Sequence, residues 1–130
     1  MAHYVITGGS GFVGQALCRR YAARGVALTV LTREPARAAR LLPPGTRTVT
    51  RLADVPPDEP VDAVINLAGE PIAEGRWSAA RKRRLEESRI ALTGELVRWM
   101  AQASPRPAAL ISASAIGFYG DQGDALVTED

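Results

Sequence analysis

Four glycines within seven residues, in the run Gly8-Gly9-Ser10-Gly11-Phe12-Val13-Gly14, set the tightest constraint on this 130-residue chain. They contain the spacing Gly9-x-Gly11-x-x-Gly14. Before them stands His3-Tyr-Val-Ile-Thr7, a short apolar run that reads as a buried strand. After them Phe12, Val13, Ala16, Leu17 and Tyr21 recur at the spacing of one helix face as far as Arg24, and Gly25 supplies a stop. The glycine spacing alone is common; a strand before it and a helix after it make it informative. Gly8 and Gly9 permit a sharp turn, Gly11 leaves bare backbone for close approach of a ligand, and Gly14 lets the helix lie tight against the strand. The helix start near Phe12 and Val13 offers free N–H groups and a positive dipole end. The expected ligand is a pyrophosphate, with Gly8, Gly9, Ser10, Gly11, Phe12, Val13 and Gly14 as its loop.

The remaining sequence alternates between strand and helix patterns. Residues 27–32 are rich in β-branched side chains and read as a second strand. Residues 36–42 form a short helical segment that Pro43-Pro44-Gly45 ends, and residues 46–50 a weaker third strand. The proline- and acid-rich stretch 54–60 reads as a loop where a full crossover helix is missing. Residues 63–67 make a fourth strand. Residues 78–103 make the longest helix, with Ser78 as its N-cap and Leu85, Ile90, Leu92, Leu96, Val97 and Met100 among its apolar positions. Pro105 and Pro107 close it, and residues 108–112 are a fifth strand. Strands interleaved with helices imply a parallel sheet covered on both faces. With right-handed crossovers the expectation is an α/β, doubly wound sheet of Rossmann type, strand order 3-2-1-4-5. It is expected to form one domain over residues 1–130 that stops after the fifth strand, as a fragment of a longer fold does.

Composition removes several function classes. The 46% apolar and 23% charged content is that of a soluble globular protein. No run approaches the roughly 18 apolar residues of a membrane span, and the apolar start at residues 4–7 is too short for a signal peptide. A cytoplasmic location is expected. Cys18 is the only cysteine, so no internal disulfide or thiolate zinc cluster can form, and its helical setting suggests a buried, inert thiol. His3 is the only histidine, which excludes histidine metal clusters and a Ser-His-Asp triad within the chain. The run Arg81-Lys82-Arg83-Arg84 is followed by Glu86 and Glu87 and has no aromatic platform. A solvated helix face is expected there, and no nucleic acid.

The end of the second strand bears on the choice of cofactor. An NAD site usually places Asp or Glu there to hydrogen-bond the ribose 2′-hydroxyl. This strand ends in Thr32-Arg33, with Glu34 one residue later. Arg33 can pair with a 2′-phosphate and stack on adenine, and Thr32 can add a hydroxyl. NADP is expected in preference to NAD.

Beyond the glycine loop, the segments Asn66-Leu-Ala-Gly-Glu-Pro-Ile72, Arg76-Trp77, Glu87-Ser-Arg-Ile90 with Thr93, and Ile111-Ser-Ala-Ser-Ala-Ile-Gly-Phe-Tyr-Gly120 extend the pattern. Together these residues resemble the extended short-chain dehydrogenases/reductases, in particular the epimerase-like SDR39U1 group, over the N-terminal part of that family. The resemblance implies that Leu67, Ala68 and Gly69 line a nicotinamide dinucleotide at the sheet's switch point. Gly69 would allow close backbone approach. It also implies that Arg89 faces the cofactor cleft and that homodimers form through the helix at residues 78–103. Trp77 is expected to pack as a helix staple.

The family's hydride chemistry uses a Ser, a Tyr and a Lys, with the Lys four residues after the Tyr. Here the residues four beyond Tyr4, Tyr21 and Tyr119 are Gly8, Gly25 and Gly123, and Lys82 is the only lysine. No Tyr-x-x-x-Lys exists in these 130 residues. By resemblance Ser114 is the match to the catalytic serine and Ser112 the second choice, in a loop that carries one extra residue near Gly117. The expected activity is an epimerase/dehydratase-like hydride transfer at a carbonyl or alcohol carbon of an unidentified small molecule, with the dyad beyond Asp130. The alternative is an NADP-binding sensor or assembly partner without turnover.

Overall fold

In a parallel sheet closed by helices on both sides, every central strand must bury two faces, so its consecutive residues are apolar. That is the case here. The structure, a computed structural model, describes residues 1–69, 73 and 75–130. Five strands run parallel: β1 (His3–Thr7), β2 (Ala27–Leu31), β3 (Arg47–Val49), β4 (Ala63–Asn66) and β5 (Ala109–Ser112), in the spatial order β3-β2-β1-β4-β5. Val5 pairs with Thr29 and Val64, and Ile6 with Val30 and Ile65. Successive side chains point to opposite faces. Val5 and Val64 therefore enter a core with Val49, Leu52, Val55, Val61, Leu96 and Trp99. Ile6 and Ile65 enter a second core with Cys18, Leu28, Val30, Ala38 and Leu42.

The helices divide between those cores. α1 (Phe12–Ala22) and α2 (Pro35–Leu41) cover one, and α3 (Ala79–Gln102) with a 3₁₀ turn at Leu52–Asp54 covers the other. This is the doubly wound arrangement with the expected order 3-2-1-4-5. The expected gap between β3 and β4 is also present: only the 3₁₀ turn stands there, followed by Pro56 and Pro57, which cannot donate to a helix. Arg47 ties the link down, donating to Glu59 Oε2 at 2.8 Å and to the Asp54 carbonyl at 2.6 Å. His3 is a structural residue, its ring 3.0 Å from the Pro60 carbonyl and 2.8 Å from Thr29 Oγ1. Among the described residues no helix is long and apolar enough to cross a membrane.

Two helix faces differ from the pattern in the sequence. On α1, Phe12, Val13 and Ala16 face solvent, and the buried positions are Gly14 and Cys18, with Leu17 and Tyr21 half-buried beside them. Small residues four apart let the helix approach the sheet, so the core face is marked by size as well as hydropathy. On α3, Leu85, Leu92, Leu96 and Trp99 form the inward stripe, whereas Ile90 and Val97 are exposed. The helix rotates about 100° per residue, and that puts the pair 90 and 97 on a flank. Trp99 was not among the expected core positions. Its indole N–H donates to the Val55 carbonyl at 3.4 Å. Ser78 is the N-cap as expected, its hydroxyl accepting the Arg81 N–H at 3.1 Å.

Cys18 is fully buried, and burial pushes its thiol up from the usual range against a smaller opposing effect of the Arg19 charge. A raised pKa in the folded state means stability is intact below the thiol's unfolded pKa of about 8.5 and declines as pH rises through the folded value. Labelling of Cys18 by a thiol reagent at pH 8 is expected only on unfolding, with a rate that follows denaturant. Rapid labelling of the native protein would show an accessible thiolate.

Candidate functional site

The four loop glycines occupy four different environments. Gly8 has φ +69°, a left-handed turn that ordinary side chains disfavour. A Cβ there would also lie 2.7 Å from the Leu67 carbonyl carbon, so the turn after β1 touches the segment after β4 back to back. A Cβ on Gly9 would lie 2.9 Å from Val30 Cγ1. On Gly14 it would collide with the Gly8 carbonyl oxygen and come 2.6 Å from Gly9 Cα. Gly11 is different: among the described residues, its chain neighbours aside, a Cβ would meet the Gly8 oxygen alone within 4 Å, at 3.3 Å. Three glycines are thus required by packing and one leaves room.

That room is at the start of α1. Gly11 is the N-cap and carries no side chain to satisfy the first-turn N–H groups, and no acidic residue stands in that turn. The first N–H groups of a helix have no partner within it. Gly11 N–H donates to the Gly8 carbonyl at 3.1 Å, and Gln15 Nε2 holds the Ser10 carbonyl at 2.9 Å. The turn is therefore pinned from both sides. Gln15 was not singled out in the sequence, and only the structure shows that it reaches back five residues.

At the end of β2, Thr32 and Arg33 follow the last strand residue, Leu31. Thr32 N–H donates to the Val49 carbonyl at 2.9 Å, and its hydroxyl accepts the Glu34 N–H at 3.1 Å. Arg33 is exposed and has no ion-pair or hydrogen-bond partner among the described residues. Glu34 is paired with Arg37 at 3.2 Å.

The reversal of strand order between β1 and β4 makes the switch point, where ligands of open α/β sheets bind. Asn66 is the hub there, 6% exposed. Its Oδ1 accepts from the Thr7 hydroxyl at 2.6 Å, and its Nδ2 donates to Thr93 and to Ser112 at 3.2 Å each. Thr7 Oγ1 in turn accepts the Ala68 N–H at 3.3 Å. One amide thus joins β1, β4, α3 and β5. Leu67, Ala68 and Gly69 leave this hub. A Cβ on Gly69 would lie 2.9 Å from the Arg89 guanidinium carbon, so the side chain missing at 69 makes room for Arg89. Arg89 also donates to the Leu85 carbonyl and Ser88 Oγ at 3.2 Å. Glu70, Pro71 and Ile72 of the quoted motif lie outside the described residues. Of the two serines, both exposed, Ser112 accepts from Asn66 Nδ2 and Ser114 stands two residues beyond β5. Trp77 is 57% exposed at the entry to α3, and the run Arg81 to Arg84 lies in the first turns of the same helix. No group of three metal-ligating side chains exists among the described residues.

A glycine turn on an open helix start, facing a switch point in a doubly wound sheet, defines the class: a domain with the fold of dinucleotide-binding proteins. Residues 4–130 match the NAD dependent epimerase/dehydratase family, and the chain belongs to it. It is similar to the chloroplastic epimerase family protein SDR39U1 homolog of Arabidopsis thaliana, 34% identical over 96% of this chain and 38% of that one. An epimerase family protein of Mycobacterium tuberculosis is 40% identical over 96% of this chain and 40% of its own length. Human epimerase family protein SDR39U1, crystallised with NADPH, superposes with a TM-score of 0.73 at 28% identity, over 90% of this chain and 38% of that one. A UDP-galactose 4-epimerase shares the fold, with a TM-score of 0.77 at 22% identity over 95% of this chain and 41% of that one. The chain thus spans about two fifths of the length of these relatives.

Proposed function

We propose that residues 1–130 form the NADP-binding domain of an epimerase/dehydratase-like oxidoreductase, whose complete form moves a hydride at a carbonyl or alcohol carbon of a small molecule. The observation that carries this is the Gly11 opening over the uncapped start of α1, a cradle that a side chain would fill. In this reading the N–H groups near Phe12 and Val13 bind the pyrophosphate, with Gly8, Gly9, Ser10 and Gly14 shaping the turn. Leu67, Ala68 and Gly69 pass along the ribose and nicotinamide, and Arg89 stands over them. In the same reading Ser114, exposed two residues beyond β5, would be the catalytic serine, with Ser112 the second choice. The nicotinamide itself supplies the hydride chemistry when bound, and the chain supplies position. NADP is preferred because Arg33 is an exposed guanidinium without a partner among the described residues, beside the Thr32 hydroxyl. The NADPH named with the human relative supports the same choice. A homodimer through α3 belongs to this reading, supported by the exposure of Ile90 and Val97. A cytoplasmic location does too, with a lone thiol suited to a reducing compartment.

The test is a titration with NADPH and NADH, followed by tryptophan fluorescence and melting temperature. NADPH is expected to bind at least about tenfold tighter, a gap of roughly 1.4 kcal/mol, and Arg33→Ala is expected to abolish that gap. Equal binding of the two would return Arg33 to the solvated surface, and binding of neither to a folded sample would refute the site. The second reading is a dinucleotide-binding sensor or assembly partner without turnover; it shares every feature of these 130 residues with the first, and a Tyr-x-x-x-Lys beyond Asp130 would favour the enzyme, its absence there the sensor.

A further inference from the structure

The end of β2 carries two opposed signals about cofactor choice. Glu34 lies about 20 residues beyond Gly14, the interval at which a carboxylate ordinarily accepts the ribose 2′-hydroxyl of NAD. Arg33, its neighbour, suits a 2′-phosphate. The arrangement of side chains bears on which signal is expressed. The Glu34 backbone N–H is fixed to Thr32 Oγ1 at 3.1 Å, and its carboxylate is drawn toward α2, where Oε2 meets Arg37 Nη1 at 3.2 Å. Both side chains are 64% exposed, so the pair adds little to stability. Its effect is on charge. Exposed charges act on one another within about 8–10 Å at physiological salt, and Glu34 adjoins the residue assigned to the phosphate. Left alone, its carboxylate repels a 2′-phosphate and offers an acceptor to a 2′-hydroxyl.

We propose that Arg37 is a specificity-determining residue: by pairing with Glu34 it neutralises the carboxylate next to Arg33 in the chain and so makes the β2 end selective for a 2′-phosphorylated dinucleotide. Arg37 acts through Glu34 and does not itself read the phosphate. This inference rests on the NADP reading above. It explains why a glutamate at an NAD-like interval does not make the site an NAD site.

The test is a mutant cycle on the intact chain, titrating wild type, Arg37→Ala, Glu34→Gln and the double variant with NADPH and with NADH. Arg37→Ala is expected to weaken NADPH about fivefold while leaving NADH unchanged or slightly tighter, since specificity is a difference of two affinities. Adding Glu34→Gln is expected to bring NADPH back to within about twofold of wild type, because removing both charges restores local neutrality. An unchanged NADPH-to-NADH ratio in Arg37→Ala would overturn the inference. So would a double variant as weak as Arg37→Ala, which would mean that Arg37 touches the phosphate directly. The underlying reading fails separately: wild type binding both cofactors equally removes it and the inference together. A wild-type preference that Arg33→Ala abolishes, with a flat Arg37 cycle, removes the inference alone.

Discussion

Gly14→Ala is expected to lower stability by about 3 kcal/mol and the melting temperature by roughly 10 °C, the upper end of what forced overpacking costs. Two effects of opposite sign meet at this position. Gly14 lies within α1, where alanine is ordinarily better than glycine by about 1 kcal/mol. Against that, the new Cβ collides with the Gly8 carbonyl oxygen and stands 2.6 Å from Gly9 Cα and 2.8 Å from the Gly9 carbonyl carbon. All three are backbone atoms of a turn that Gln15 and the Gly11 N–H hold in place, so none can yield cheaply. The collision wins. Gly11→Ala supplies the contrast. Its φ of −76° suits any residue, and among the described residues, chain neighbours aside, its Cβ meets the Gly8 oxygen alone, at 3.3 Å. Stability is expected to change by less than about 1 kcal/mol, while dinucleotide affinity falls about tenfold or more because the cradle is filled. Chemical denaturation and a cofactor titration on each variant separate the two. A Gly14→Ala protein as stable as wild type would mean that the turn can move, and the account of the loop would be wrong.

This contrast also shows what the sequence could and could not carry. The glycine spacing between a strand and a helix was enough to locate the loop, and consecutive apolar residues in β1, β2 and β4 were enough to place them inside a parallel sheet. Local patterns encode these features, because strand burial on two faces and a left-handed turn each demand particular residue types. Other features depend on partners far apart in the chain. Asn66 sits in a strand that pattern alone marks as apolar, yet it joins Thr7, Thr93 and Ser112, which lie 59, 27 and 46 residues away. The occupation of Gly69 by Arg89 is likewise invisible until α3 is laid across the switch point. Hydropathy spacing misjudged the inward faces of both α1 and α3. A helix presents apolar residues on more than one flank, and only the sheet decides which flank is covered. Trp99 was missed for the related reason that an aromatic near a helix end can face either way until its indole finds an acceptor, here the Val55 carbonyl.

That covered flank makes the second large effect. Leu96→Ala is expected to destabilise the protein by about 2–5 kcal/mol, a large share of the roughly 5–15 kcal/mol that holds an ordinary domain together. Leu96 is fully buried and packs with Val5 and Val64 of the two central strands, and with Trp99 beside it. Of the 24 residues of α3, only Leu85, Leu96 and Trp99 are buried. The helix is anchored mainly at its C-terminal half, where Leu92 and Met100 also join the core. The strands beneath are locked in register, which limits how far they can close on the cavity. Val97→Ala, one residue on but 51% exposed, is expected to stay within about 0.5 kcal/mol of wild type. Urea denaturation of the two variants decides the matter, and similar losses at 96 and 97 would mean that the flank carrying Ile90 and Val97 is covered in solution. The consequence reaches the candidate site. Thr93 and Arg89 stand on the turns just before Leu96 and meet Asn66 and Gly69 across the switch point. Leu96→Ala is therefore expected to speed amide exchange in the hydrogen-bonded turns around Thr93, ahead of any change in β1 or β2, and so to loosen the cleft before the sheet gives way.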